Sequence, residues 1–90
     1  MSRRYILTEY VRQAMEQAVY DKLEDETFTA RIPDCHGVVA FASTLGGCER
    51  ELQSTLEDWI LLGLKLRHRL PVINDIDLNG EPMREPVDAL

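Results

Sequence analysis

The sequence predicts a single α+β domain with the element order α-β-β-β-α-β, in which helices pack on a small, mostly antiparallel sheet. Three patterns lead to this prediction: apolar residues at helical spacing over 7–18, alternation around a Pro-Asp-Cys-His-Gly turn over 27–42, and a longer amphipathic helix over 45–66. A chain of 90 residues forms one domain. It buries only about 60–65% of its unfolded surface, so association between subunits would add stability.

A helix is predicted over residues 1–17. Its apolar residues recur at the i, i+3, i+4 spacing of one helix face: Leu7, Tyr10, Val11, Ala14, Met15 and Ala18. Three strands are predicted over residues 18–42. Within them, residues 19–23 fit either a hairpin partner of the next strand or the end of the helix, and the local pattern leaves both open. An acidic turn, made of Glu24, Asp25 and Glu26, precedes the alternating strand.

The second and third strands are joined by a turn with clear local signals. Pro33 ends the second strand, because it has no N–H to donate and its φ is fixed. Gly37 supplies the positive φ that a tight reversal needs. After the third strand, Ser43 or Thr44 offers a side-chain oxygen that can cap the next helix.

The strongest element is the helix predicted over residues 44–66. Its core-facing residues fall within one sector of a helical wheel: Leu45, Cys48, Leu52, Leu56, Trp59, Gly63 and Leu66. Leu61 and Leu64 lie on the otherwise polar side. They are either scattered surface leucines or a contact patch for a second subunit or a partner, and the sequence leaves both open.

After this helix, a short edge strand is predicted over residues 72–78, where Val72, Ile76 and Leu78 lie among polar residues. The domain is therefore expected to span residues 1–78. Residues 79–90 contain two prolines and no periodicity, and we expect them to form a flexible tail.

The charge balance favours protein partners over nucleic acid. The chain has 16 acidic and 10 basic residues, a net charge of −6 and a pI near 4.8. Such a surface repels phosphate backbones, so direct nucleic-acid binding is disfavoured, whereas basic proteins are steered towards it. The sequence contains neither the apolar stretch of a signal peptide nor a run approaching ~20 apolar residues, so we expect a cytoplasmic protein without membrane contact.

Catalytic and metal chemistry find no support in the sequence. The soft metal ligands are Cys35, His36, Cys48 and His68, and their spacing does not match the paired ligands of a zinc site. Cys35 and His36 are adjacent, which rarely directs two side chains at each other as a nucleophile and its base. The carboxylates are scattered rather than convergent. We therefore expect no catalytic residue, no metal and no cofactor, and a protein that is not an enzyme.

The order and spacing of the turn and core residues resemble the N-terminal domain of HicB-family antitoxins. The residues that carry the resemblance are Pro33-Asp34, Gly37, Thr44-Leu45 and Trp59. They lie in the stretch FTARIPDCHGVVAFASTL, the helix segment LEDWILLGLKL and the exit LPVI, and the resemblance covers about residues 18 to 73. His36 stands where the family often has proline, and Gly46-Gly47-Cys48 replaces the usual acidic pair and alanine.

The resemblance implies a partial RNase H-like fold without nuclease activity. It also implies a function: to bind and occlude a small basic HicA-type mRNA interferase toxin. Many members of the family add a DNA-binding segment after this domain, which we do not expect in a chain that continues into a proline-containing tail. A homodimer or higher oligomer is expected. The alternatives are an orphan homo-oligomeric scaffold protein of the same fold and, remotely, a metal-dependent nuclease.

The candidate contact residues follow from charge and wheel position. The acidic candidates lie in the hairpin turn and on the polar helix face: Glu24, Asp25, Glu26, Glu57 and Asp58. The apolar candidates are Leu61 and Leu64. Pro33, Gly37, Thr44 and Trp59 are expected to serve the fold rather than a partner.

Overall fold

A computed structural model describes residues 6–79 and has the α+β architecture that the sequence predicts. The elements are α1 (Ile6–Glu16), β1 (Val19–Lys22), β2 (Phe28–Arg31), β3 (Val39–Ala42) and α2 (Leu45–Leu66). The predicted fold class, a small antiparallel sheet with helices packed on it, is confirmed. The first residues of the predicted N-terminal helix and residues 80–90 of the predicted tail lie outside the described residues.

The sheet has the strand order β1-β2-β3, and both pairs are antiparallel. Residues 19–22 form a strand rather than the end of α1, which decides between the two structures that the sequence left open. Tyr20, Ala30 and Ala40 are neighbours across the sheet on the face that α2 covers. Small side chains at Ala30 and Ala40 let α2 approach closely, and the Cys48 thiol lies 3.7 Å from the Ala40 carbonyl oxygen.

Two successive turns connect β2 and β3. Cys35 N–H donates to the Ile32 carbonyl at 3.0 Å across Pro33 and Asp34, and Val38 N–H donates to the Cys35 carbonyl at 3.0 Å. Gly37 occupies the third position of the second turn with φ +98°, the conformation that a type II turn reserves for glycine. Cys35 is buried where the two turns meet.

Thr44 caps the N-terminus of α2. Its hydroxyl oxygen accepts a hydrogen bond from Gly47 N–H at 2.9 Å, so one of the free donors of the first turn is satisfied. A Cβ placed on Gly47 would lie 2.8 Å from this oxygen, whereas a Cβ on Gly46 would meet nothing closer than Arg50 at 3.7 Å. Gly47 therefore leaves room for the cap, while Gly46 has no such role.

The buried stripe of α2 differs from the predicted one at both ends and also includes Ile60, which was not predicted. It consists of Cys48, Leu52, Leu56, Ile60 and Gly63, while Trp59 is half-buried against the core. Leu45 and Leu66 were expected in the core but are exposed. The cause is a mismatch of length: 22 residues of helix span about 33 Å, and strands of four residues span about 13 Å, so both ends of α2 extend beyond the sheet.

The short strand predicted over residues 72–78 is not formed. Asn74 and Asp75 both have positive φ, at 46° and 69°, and they reverse the chain in a two-residue turn. Ile73 and Ile76 flank this turn and form an isolated bridge. Asn and Asp tolerate the left-handed region better than other non-glycine residues, which is why this pair forms a turn of the I′ class. The segment adds Leu70, Ile73 and Leu78 to the core.

Candidate functional site

A groove of about 840 Å³ lies between α1, α2 and the start of β1. Its lining is apolar towards the floor and charged at the rim. The lining residues are Leu7, Thr8, Val11, Arg12, Met15, Glu16, Ala18, Tyr20, Glu49, Gln53, Glu57, Ile60 and Leu61. Concave surfaces with an apolar floor and a polar rim are the usual form of a binding site.

The groove forms because the core does not fully cover the apolar side chains of α1. Tyr10 and Ala14 are fully buried and attach α1 to the core. Leu7, Val11 and Met15 recur at a spacing of four residues on the neighbouring side and line the groove, and Val11 and Met15 also pack against the edge of the core. These side chains remain partly or largely exposed, so apolar area is available to a partner.

Two hydrogen bonds fix α1 to the segment that follows α2. The Tyr10 hydroxyl donates to the Pro71 carbonyl at 2.7 Å, and the Asn74 side-chain amide donates to the Gln13 side-chain oxygen. Burial, followed by the nearby Cys35 and Asp34, raises the pKa of Tyr10, so the hydroxyl stays protonated and able to donate. The wall of the groove that α1 forms is therefore held in place.

The rim of the groove is acidic. Arg12 is neutralised within α1, since it is paired with Glu9 and donates to Glu16 at 2.8 Å. The hydrogen bond from Arg12 lowers the pKa of Glu9, so this carboxylate stays ionised. Across the groove, Glu49 and Glu57 have no cationic side chain within 4.0 Å among residues 6–79. Burial, with Glu49 as the next cause, raises the pKa of Tyr20 on the floor.

Only some of the predicted contact residues on α2 line the groove. Leu61 and Glu57 line the groove, and Leu61 is 59% exposed. Asp58 is exposed but does not line it. Leu64 is half-buried and packs partly against the core, so it is less exposed than expected. Its role as a contact residue stays a prediction.

The predicted acidic turn lies away from the groove and has a local role. Asp25 accepts hydrogen bonds from Thr27 N–H at 3.0 Å and from the Thr27 hydroxyl at 2.6 Å, which lower its pKa. Glu26 adopts φ 68°, and its N–H donates to the Leu23 carbonyl at 2.9 Å, which closes the three-residue hairpin loop over 24–26. All three side chains are exposed, but none of them lines the groove.

The cysteines and histidines are not brought together. Cys35 and Cys48 are buried as free thiols, and His36 and His68 are exposed. Burial, followed by Asp34, raises the pKa of the Cys35 thiol to about 11, which leaves it protonated and unreactive at neutral pH. Over the described part of the chain, no three His, Cys, Asp or Glu side chains converge as a metal site requires.

The α1 wall and the floor residue Tyr20 were not predicted as a contact surface. A signal was present in the sequence, because α1 carries further apolar residues beside the fully buried Tyr10 and Ala14. Leu7, Val11 and Met15 remain partly exposed and line the groove, although Val11 and Met15 also pack against the core.

Within residues 6–79, neither helix combines the length and the apolar character of a membrane-spanning segment.

Comparison with known proteins places the chain in a family. The crystal structure of TTHA0281 from Thermus thermophilus is similar to it, with 35% sequence identity and a TM-score of 0.78 over 84% of this chain and 95% of that one. Among curated proteins, none matches. The profile of the UPF0150-like family matches residues 9–71, which include most of α1, the whole sheet and α2. The chain therefore belongs to the UPF0150-like family.

Proposed function

We propose that this protein is a HicB-like antitoxin that binds a small basic HicA-type mRNA interferase and occludes it, with the groove between α1 and α2 as the contact surface. The observation that carries the proposal is an apolar groove with an acidic rim on a chain of net charge −6. Membership of the UPF0150-like family, together with the resemblance of the turn and helix residues to HicB antitoxins, supports it.

The charges of the rim suit a basic partner. Glu49 and Glu57 lie on α2, whereas Glu16 on α1 is paired with Arg12, so the net negative charge of the rim comes from the α2 side. Opposite potentials accelerate encounter and fix orientation, and they do so most strongly at low salt. An RNA-cleaving toxin must carry positive charge to hold its substrate, and the same charge draws it to this rim.

The floor supplies the affinity that exposed charges alone do not. Leu61 from α2 and Leu7 from α1 are 59% and 41% exposed in the free protein, and half-buried Met15 also lines the groove. Covering such side chains contributes roughly 1.5–3 kcal/mol for each one fully buried. A partner that inserts an apolar ridge between the helices would therefore bind through the floor and be guided by the rim.

The test is to look for a short basic reading frame beside the gene and to measure whether its product binds this protein and is silenced by it. Co-expression should restore growth, and the purified proteins should form a complex measurable by calorimetry. Leu61→Lys should weaken the complex by at least about tenfold, whereas Leu62→Lys should not. These leucines are adjacent and similarly exposed, at 59% and 56%, but only Leu61 lines the groove.

A second matched pair tests the rim. Glu57→Gln removes a carboxylate of the groove, and Asp58→Asn removes its exposed neighbour outside the groove. Glu57→Gln should slow association and flatten its dependence on salt more than Asp58→Asn does. Equal effects within each pair would place the contact elsewhere on the molecule.

The rival function is that of an orphan scaffold, and specific side chains favour it. Leu62, Leu66 and Phe41 are more than half exposed and lie outside the groove, so they are available for contacts between copies of the chain. A stable homo-oligomer with no neighbouring basic frame and no rescued toxin would favour the scaffold over the antitoxin.

A further inference from the structure

The outer edge of β3 is an open strand edge without charged residues. Within residues 6–79, β3 pairs with β2 on one side only, and the segment from Val38 to Thr44 contains no Asp, Glu, Lys or Arg. Val39 and Phe41 project from the sheet face that α2 does not cover, and they are 42% and 63% exposed. Natural proteins usually protect such an edge with charge, proline or a covering segment.

The backbone groups that point outwards can be identified from the ladder. Ile32 N–H donates to the Val38 carbonyl at 3.4 Å, so Val38 faces β2. Because hydrogen-bonded and non-hydrogen-bonded pairs alternate in an antiparallel ladder, Ala40 and Ala42 also direct their N–H and C=O groups to β2. The N–H and C=O groups of Val39 and Phe41 therefore point away from the sheet.

The other edge of the sheet is protected. β1 carries Asp21 and Lys22 on opposite faces, and both are exposed. Asp21 also lies 3.6 Å from Arg31 of β2. Charged side chains at an edge oppose pairing with another strand, because pairing would desolvate them. The two edges therefore differ: β1 carries charged side chains that oppose pairing, and β3 carries none.

We propose that β3 is a homodimer interface, in which two copies of the chain pair their β3 strands antiparallel about a two-fold axis at Ala40 and form one continuous six-stranded sheet. This surface is separate from the groove, and the proposal does not rest on the antitoxin function. In this register Val39 of one copy faces Phe41 of the other. Each such pair exchanges both of its hydrogen bonds, so all the outward groups of Val39 and Phe41 are satisfied.

The absence of charge on the β3 edge favours a second copy of the chain over a basic protein as the partner that pairs with it. Two chains that each carry a net charge of −6 repel each other, so a contact that brings no like charges together is favoured. The strand from Val39 to Ala42 is neutral and self-complementary, since aromatic and β-branched side chains stabilise each other across an antiparallel pair. A basic partner would gain nothing from this strand and more from the acidic rim.

The test combines sedimentation with amide exchange on the full chain. Sedimentation should show a dimer whose dissociation constant falls as salt is raised, because screening removes the repulsion between like charges. Phe41→Lys should raise this constant by at least about tenfold. Thr29→Lys is the matched control: Thr29 lies directly opposite Phe41 on the same uncovered face but in the central strand, so it should leave the dimer intact.

Amide exchange on the unmodified chain tests the β3 interface directly, even if a variant folds poorly. In the dimer, the Val39 and Phe41 amides should be protected, and dilution to the monomer should release them. The Ala40 and Ala42 amides should stay protected at both concentrations. A monomer at millimolar concentration with unprotected Val39 and Phe41 would overturn the proposal. So would equal loss of the dimer in Phe41→Lys and Thr29→Lys, which would indicate packing through the face rather than the edge.

Discussion

The two glycines that begin α2 should respond differently to alanine, although they are adjacent. A methyl group on Gly46 makes ordinary contact with Arg50 at 3.7 Å, and Gly46 has an ordinary helical φ. Gly46→Ala should therefore stabilise the protein by about 0.4–1 kcal/mol, chiefly because the unfolded chain loses conformational freedom. The same methyl on Gly47 would lie 2.8 Å from the Thr44 hydroxyl oxygen, which is the atom that caps the helix.

The difference in unfolding free energy between Gly46→Ala and Gly47→Ala measures the stabilisation that the Thr44 cap contributes. Displacing the Thr44 side chain costs about 0.5–2 kcal/mol, the usual value of an N-cap interaction. The entropic gain is common to both substitutions, so Gly47→Ala should be less stable than Gly46→Ala by about 0.5–2 kcal/mol. Urea unfolding monitored by circular dichroism resolves this as a shift of midpoint at constant slope.

A Thr44→Ala background supplies the control. Without the hydroxyl oxygen there is no cap to displace, so the two glycine variants should become equally stable, and the double-mutant cycle should show coupling for Gly47 but not for Gly46. If Gly47→Ala were as stable as Gly46→Ala in the presence of Thr44, the steric account of this glycine would be refuted.

Two further predictions concern the end of α2 and the buried thiol. Arg67 ends α2 with φ 60°, and its N–H and that of His68 donate to carbonyls of the last helical turn. Because glycine adopts this left-handed conformation without strain, Arg67→Gly should stabilise the protein by about 1 kcal/mol in the same urea assay. An unchanged unfolding free energy would show that Arg67 is unstrained. Burial raises the pKa of Cys35 from 9.0 to about 11. Because only the unfolded chain ionises between these values, this contribution to the unfolding free energy is complete below pH 9 and is lost as pH rises to 11. Cys35→Ala should flatten the decline over that interval, and identical slopes would contradict the assignment.

The features that the sequence predicted well are those with local causes. Pro33 and Gly37 act through their own backbone preferences, and Thr44 through one hydrogen bond within the first helical turn. The second strand follows from alternation over a few residues and the third from a run of β-forming residues, whereas the local pattern left the first open. Each of these signals is complete within about five residues, so no knowledge of distant packing was needed.

The features that were not predicted depend on distant neighbours. A helical wheel does not show that the strands are shorter than α2, so Leu45 and Leu66 were placed in the core and Leu64 on the surface. The Asn74-Asp75 turn was read as strand, although both residues tolerate positive φ. The groove needs α1 and α2 side by side, and only the tertiary structure shows which apolar residues of α1 remain uncovered.

The most direct test of the central claim is to map the bound partner on this chain by NMR. A ¹⁵N- and methyl-labelled sample would be titrated with a small basic HicA-type toxin. Groove binding predicts that the largest shifts occur at Leu7, Val11, Met15 and Leu61, with intermolecular contacts to these methyl groups and none at the hairpin turn. Shifts confined to the β3 edge or to residues 24–26, with the groove unaffected, would contradict it.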